Sequence, residues 1–202
     1  LSDKTIVNWG ILGLGNMANI FAHSIKNLDN AKLVGVSSLT SKKLIKFSNS
    51  FKIEKKFKYK HYSDLIRSKH IDAIYISTLN NSHFNLIKEC IDFNKNILCE
   101  KPMTINYLQA KKIKENLLNK PIFFAEAIAY RYHPMVNEIV ETVNKNEIGT
   151  LKEIIINIGF IAKNPNINSR LFNKMLGGGA ILDLGCYPIS FISLFKKKNK
   201  SI

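Results

Sequence analysis

Apolar residues recur along this chain with two alternating periods. "TIVNWGILG" is a nearly continuous apolar run of the kind a buried strand presents, and from about Asn16 to Leu28 the spacing changes to one face of a helix. "KLVGVSS" then reads as a second strand and "SKKLIKFSNSF" as a second helix. After a Lys-rich connection come a short helix at "YSDLIRS" and a buried strand at "IDAIYIST". The segment "SHFNLIKECIDFN" carries Phe84, Ile87, Cys90 and Ile91 at helical spacing. "KNILCE" reads as a strand, "TINYLQAKKIKENLLN" as a helix and "PIFFAEA" as another strand. Strands alternating with helices predict a doubly wound parallel sheet with helices on both faces, over residues 1–124.

The pattern changes after about Ala125. "HPMVNEIVETVNKNEIG" has helical spacing, and "TLKEIIINIGFIA" alternates apolar and polar positions as a strand with one buried face does. A polar loop containing Asn164, Pro165, Asn166 and Asn168 follows, and then "GGGAILDLGCYPISF". Residues 125–202 therefore read as the start of a second, α+β domain whose open, mostly antiparallel sheet is incomplete. One strand alone leaves donors and acceptors unpaired along both edges. Either a partner supplies strands or the chain is a fragment, and the fragment is the expectation. The terminal "FKKKNK" suggests an adenine-rich coding run and hence a frameshift or truncated gene.

Composition narrows the classes. At 46% hydrophobic residues the chain is expected to fold. It has no run of about 18 apolar residues, so no membrane span is expected. The N-terminus shows neither a basic region nor a cleavage site, which predicts a cytoplasmic protein. Three cysteines, Cys90, Cys99 and Cys186, lack paired spacing and read as small apolar residues, with neither disulfide nor metal site expected. The net charge of +15 invites nucleic-acid binding. The lysines are spread along the chain, however, and the densest stretch, Ser41 to His61, reads as a solvated surface rather than a nucleic-acid footprint.

The chemistry lies at the ends of the predicted strands. "GILGLGNMA" places Gly13, Gly15 and Ala18 in a G-x-G-x-x-A arrangement between a strand and a helix. Gly13 permits the turn, Gly15 lets backbone approach a pyrophosphate, and Ala18 allows close packing. The helix start at Asn16 and Met17 offers amide donors to phosphate. The second strand ends in Ser37, Ser38, Leu39 and Thr40, followed by Lys42 and Lys43, with no acid to bind a ribose 2′-hydroxyl. That favours NADP, with NAD as the alternative, unless the lysines simply open a solvated helix. Thr78, Asn80 and His83 follow another strand, where His83 either touches a nicotinamide or caps its helix. Glu100 and Lys101 stand before Pro102 at the end of "NILC", at the ligand crevice or in a surface ion pair. Asp183 and Tyr187 share one helix face if their segment is helical.

These blocks resemble the Gfo/Idh/MocA oxidoreductases. "GILGLGNMA", "DAIYISTLNNSHF", "ILCEKPM", "AEAIAYRYHP", "IGTLKEI" and "GGGAILDLGCYPI" fall in the family's order over essentially the whole chain. The last three look most like the branch of dimeric dihydrodiol dehydrogenase, NADP-dependent D-xylose dehydrogenase and glucose–fructose oxidoreductase. The resemblance implies a Rossmann-type domain and hydride transfer between NADP and a sugar or vicinal-diol hydroxyl. It implies Lys101 and Tyr187 as catalytic residues meeting over the nicotinamide, with Asp183 beside them, and Arg131 and His133 in the substrate pocket. A full-length relative would be a homodimer. Leu39 departs from the pattern, standing where related NADP enzymes often have arginine. The competing reading is a non-catalytic dinucleotide-binding module.

Overall fold

In the computed structural model, residues 6–163 and 165–195 are described. The terminal "FKKKNK" run beyond Phe195, and Asn164 of the polar loop, lie outside the described residues. The chain divides into two compact units, Leu1–Ala127 and Ile128–Ile202.

The first unit is a parallel six-stranded sheet. Its strands are β1 (Val7–Leu12), β2 (Ala31–Ser37), β3 (Lys58–Tyr59), β4 (Ala73–Ile76), β5 (Asn96–Cys99) and β6 (Phe124–Glu126). They lie in the order β3-β2-β1-β4-β5-β6, that of dinucleotide-binding sheets. The helices between them are α1 (Asn16–Ile25), α2 (Ser41–Ser50), α3 (Tyr62–Arg67), α4 (Asn80–Asp92) and α5 (Tyr107–Leu117). Alternation along each strand sends neighbours to opposite faces, giving two apolar layers. Ile11, Val36 and Tyr75 pack with Ala18, Leu44 and Phe47 on one side. Leu12, Ile74, Ile76 and Ile97 pack with Leu65, Ile87, Ile91 and Ile113 on the other. Burying each Ile or Leu stabilises the unit by about 1.5–3 kcal/mol.

The boundary falls three residues after the expected 124, because β6 continues the ladder. Leu98 pairs with Ala125 and Cys99 with Glu126, and the Ala127 amide donates to the Cys99 carbonyl at 2.7 Å. Of the cysteines, Cys90 and Cys99 are fully buried, and Cys186 is half-buried.

The second unit contains a 3₁₀ turn at Ala129–Tyr132, α6 (Pro134–Asn144), a 3₁₀ turn at Lys174–Leu176, a π-helical turn at Ile181–Gly185 and α7 (Cys186–Ser193). The long strand expected from Thr150 to Ala162 is corrected by the structure. Among the described residues this segment has no ladder partner and is not a strand. Alternation supplies a face but not the inter-strand hydrogen bonds that define a sheet. Its apolar side chains stay largely outside, with Ile161 87% exposed.

The absence of an apolar run also needs correction. Lys174–Ser193 reaches a mean hydropathy of 1.4, enough by length and composition to cross a membrane. It is not one regular helix, however. Left-handed Gly177 and Gly179 interrupt it, and the π-helical turn follows.

Candidate functional site

The order of the sheet reverses between β1 and β4, and this opens a crevice at their carboxyl ends. Gly13 forms the turn after β1 with φ of +83°. A Cβ on it would stand 2.8 Å from Thr78 Cγ2 and 2.9 Å from the Ser77 carbonyl oxygen, so the turn excludes any side chain. Its amide donates to the Ser37 carbonyl at 3.0 Å. Ser77 Oγ donates back to the Gly13 carbonyl at 2.8 Å, which ties the two strand ends together.

Gly15 differs. It precedes α1 in an extended conformation, and a Cβ built on it would meet no protein atom within 4 Å. The fold itself does not require glycine there, whereas close approach of a phosphate would. No side chain caps the start of α1, so its first amides and its positive dipole end are left for an anion. Asn16 and Met17 are exposed, and Ala18 is buried against the sheet. These residues fit a bound dinucleotide.

At the end of β2 the predicted residues separate. Ser37 is buried within the sheet and its Oγ makes no hydrogen bond, so its contribution is the carbonyl that shapes the glycine turn. Ser38 is also buried, and its Oγ accepts the Thr40 amide at 3.2 Å. Leu39, Thr40 and Lys42 are exposed. Both serines are therefore turned inward, which alternation alone could not reveal once the strand had ended.

Glu100 and Lys101 follow β5, with the Glu100 amide donating to the Ile76 carbonyl at 2.9 Å. The Glu100 carboxylate accepts the phenol of Tyr75, and burial and this carboxylate push the Tyr75 phenol far up. Glu126, at the end of β6, accepts the Met103 amide at 2.8 Å. Burial raises its carboxyl, and the nearby Glu100 adds to the effect. Lys101 is half-buried and joined to Pro102 by a cis peptide. Sequence reading missed Tyr75 and Glu126. Tyr75 lies inside the run read as a buried strand, and Glu126 falls just beyond the expected change of domain after about Ala125.

His83 neither lines the crevice surface nor caps α4. It is 0% exposed, with Nδ1 at 2.9 Å from the Pro102 carbonyl oxygen and Nε2 at 3.2 Å from that of Thr78. Burial lowers its pKa against the opposing pull of these carbonyls and Glu100. Thr78 Oγ1 shares a 2.6 Å hydrogen bond with Ser82, and Asn80 begins α4.

In the second unit, the helix carrying Tyr187 is braced by its own neighbours. Tyr130 and Arg131 both donate to Ser190 Oγ on α7, at 2.9 and 3.1 Å. His133 caps α6, its Nδ1 accepting the Met135 amide at 3.2 Å. Asp183 is only 9% exposed and pairs with Arg170 at 3.4 Å, a partner the sequence did not reveal. The π-helical turn at Ile181–Gly185 lies where Pro188 would crowd the carbonyl of Leu184, and a wider turn relieves that clash. Asp183 and Tyr187 stay about one turn apart. The three glycines before them have separate reasons. Gly177 is left-handed, with φ of +75°. A Cβ on Gly178 would lie 2.9 Å from backbone atoms of Arg170 and Asn173, and Gly179 has φ of +116°. A cavity of about 500 Å³ in this unit, lined by Leu151, Ile154, Ile189, Ile192 and Phe195, contains none of the predicted residues.

Residues 7–124 match the profile of the Gfo/Idh/MocA oxidoreductase family, NAD-binding Rossmann fold. The chain belongs to this family. Among curated family relatives, trans-1,2-dihydrobenzene-1,2-diol dehydrogenase of Xenopus tropicalis is 31% identical over 92% of the chain and 56% of its own length. The D-xylose 1-dehydrogenase (NADP(+)) of Hypocrea jecorina is 30% identical over 92% of the chain and 52% of its own. The chain thus spans about half the length of the curated relatives it matches. A variant of a 3-ketoreductase from Actinomadura kijaniata, solved with TDP-benzene and NADP, shares the fold with a TM-score of 0.81. That match covers 95% of this chain and 57% of the other, at 20% identity.

Proposed function

We propose that this chain carries the dinucleotide-binding half, and the first part of the substrate half, of an NADP-dependent dehydrogenase acting on a sugar or vicinal-diol hydroxyl. The observation that carries the reading is the crevice between β1 and β4. It combines a side-chain-free turn at Gly13, open space at Gly15 and the uncapped start of α1. The 30–31% identity to enzymes named for a dihydrodiol and for D-xylose supports this substrate class. NADP is preferred to NAD because no carboxylate follows β2, where Thr40 and Lys42 are exposed instead.

Held at the turn of Gly13 and Gly15 and at the start of α1, NADP would supply the hydride acceptor for the carbinol carbon. The chain's own residues manage the proton. Tyr187 is the group that accepts it from the substrate hydroxyl. Lys101, at the end of β5, holds the substrate oxygen through its ammonium. Asp183, paired with Arg170, orients the groups on its helix face, and Arg131 reaches the substrate through the α7 end it braces. A full-length relative would work as a homodimer in the cytoplasm.

The test is to add D-xylose or a trans-dihydrodiol with NADP and follow absorbance near 340 nm. Tyr187→Phe is expected to abolish turnover while leaving NADPH affinity within about twofold of wild type. Loss of NADPH affinity in that variant would refute the assignment. A second reading, a dinucleotide-binding module without catalysis, is favoured by the segment from Leu151 to Ala162, which has no ladder partner among the described residues. NADPH binding with no turnover on either substrate would decide for it.

A further inference from the structure

The turn that carries Lys101 is anchored at each of the residues around it. The Glu100 amide binds the β4 end and its carboxylate takes the Tyr75 phenol. The Pro102 carbonyl faces His83 Nδ1, and the Met103 amide is held by Glu126. Three of these anchors use side chains from β4, α4 and β6.

His83 is the unusual one. It lies in the first turns of α4 and is fully buried. An apolar side chain would leave the Pro102 carbonyl without this donor, and an unpaired buried acceptor is costly. The imidazole also reaches the Thr78 carbonyl, so one ring spans two loops, those after β4 and β5, that border the same crevice. A neutral ring can donate to only one carbonyl. We assign that proton to Nδ1, toward Pro102, because this separation of 2.9 Å is shorter than the 3.2 Å to Thr78.

We propose that His83 is a positioning residue for Lys101. By holding the Pro102 carbonyl from α4, it fixes the Lys101 turn against the Thr78 loop and sets the nicotinamide end of the crevice without touching cofactor or substrate. This rests on the reading of the Lys101 crevice as the nicotinamide site, and the test separates the two.

His83→Asn places an amide N–H near the Nδ1 position and keeps the Pro102 bond. His83→Gln reaches instead toward the Nε2 position and Thr78. NADPH probes the whole crevice, whereas 2′,5′-ADP probes only the adenosine half. Both variants are expected to bind 2′,5′-ADP within about twofold of wild type, while H83Q loses about tenfold in NADPH affinity and H83N about threefold or less. The blue shift of bound nicotinamide fluorescence should persist in H83N and fade in H83Q. Should the histidine variants fail to fold, Tyr75→Phe frees Glu100 on the other side of the turn. It is expected to weaken NADPH by about threefold or more with 2′,5′-ADP unchanged. Equal NADPH affinity in H83N and H83Q, equal loss of both ligands in H83Q, or unchanged NADPH binding in Y75F where that variant serves, would overturn the positioning role. A wild-type chain that binds neither ligand would overturn the cofactor reading itself.

Discussion

At Gly13 and Gly15 the same residue type answers two different constraints. The first has a positive φ and backbone within 3 Å of any added Cβ, whereas the second has an ordinary extended conformation and room to spare. Gly13→Ala is therefore expected to destabilise the chain by about 2 kcal/mol or more, read from urea unfolding. Gly15→Ala should change stability by less than about 1 kcal/mol and still weaken NADPH binding by about tenfold or more. A Gly15→Ala chain that bound NADPH normally would show that close phosphate approach does not require glycine there. The motif was legible because a strand, a turn and a helix start follow one another in sequence. The division of labour between its glycines was not, since it depends on Thr78 and Ser77, which arrive from β4. The role of His83, and Tyr75 and Arg170 altogether, escaped for the same reason: each acts on a residue brought near only by folding.

Among the elements, α4 and β6 deliver two titratable groups, His83 and Glu126, to one end of the sheet, and their shifts oppose one another. The pKa of His83 is lowered from 6.5 by burial. Its unfolded form binds a proton that the folded form refuses, so its contribution is complete above about pH 6.5 and is lost as pH falls toward the folded value. Glu126 is raised above 4.5 by burial. Its folded form holds the proton more tightly, so its contribution is present below about pH 4.5 and lost as pH rises through the folded value. Glu126→Gln retains an acceptor for the Met103 amide and removes the charge. It should raise stability at pH 8 relative to wild type and leave pH 4 nearly unchanged, in urea unfolding at both pH values. Equal effects at both would contradict the buried-carboxyl account. Strand and helix periodicity revealed these elements almost completely in the first unit, because each strand has partners on the page of the same sequence. It failed from Leu151 to Ala162, where alternation promised a strand and the described residues supply no ladder.

For the whole molecule, the first unit holds a complete sheet with both faces covered, and every crevice residue from Gly13 to Glu126 belongs to it. Residues 1–127 expressed alone are expected to fold and to bind NADPH within about threefold of the full chain. An unfolded product would show that the second unit is required for the sheet. The second unit exposes Ile155, Ile158, Phe160 and Ile161 and should limit solubility, so Ile161→Lys is expected to raise the soluble fraction with no loss of thermal stability. The central claim is that a dinucleotide lies across the β1/β4 crevice with its nicotinamide end at Lys101. Amide shift mapping on ¹⁵N-labelled chain titrated with NADP tests this most directly. The account predicts perturbations at Gly13, Gly15, Asn16, Met17, Ala18, Thr40, Thr78 and Lys101. Perturbations confined to other surfaces, or none at saturating NADP, would contradict it.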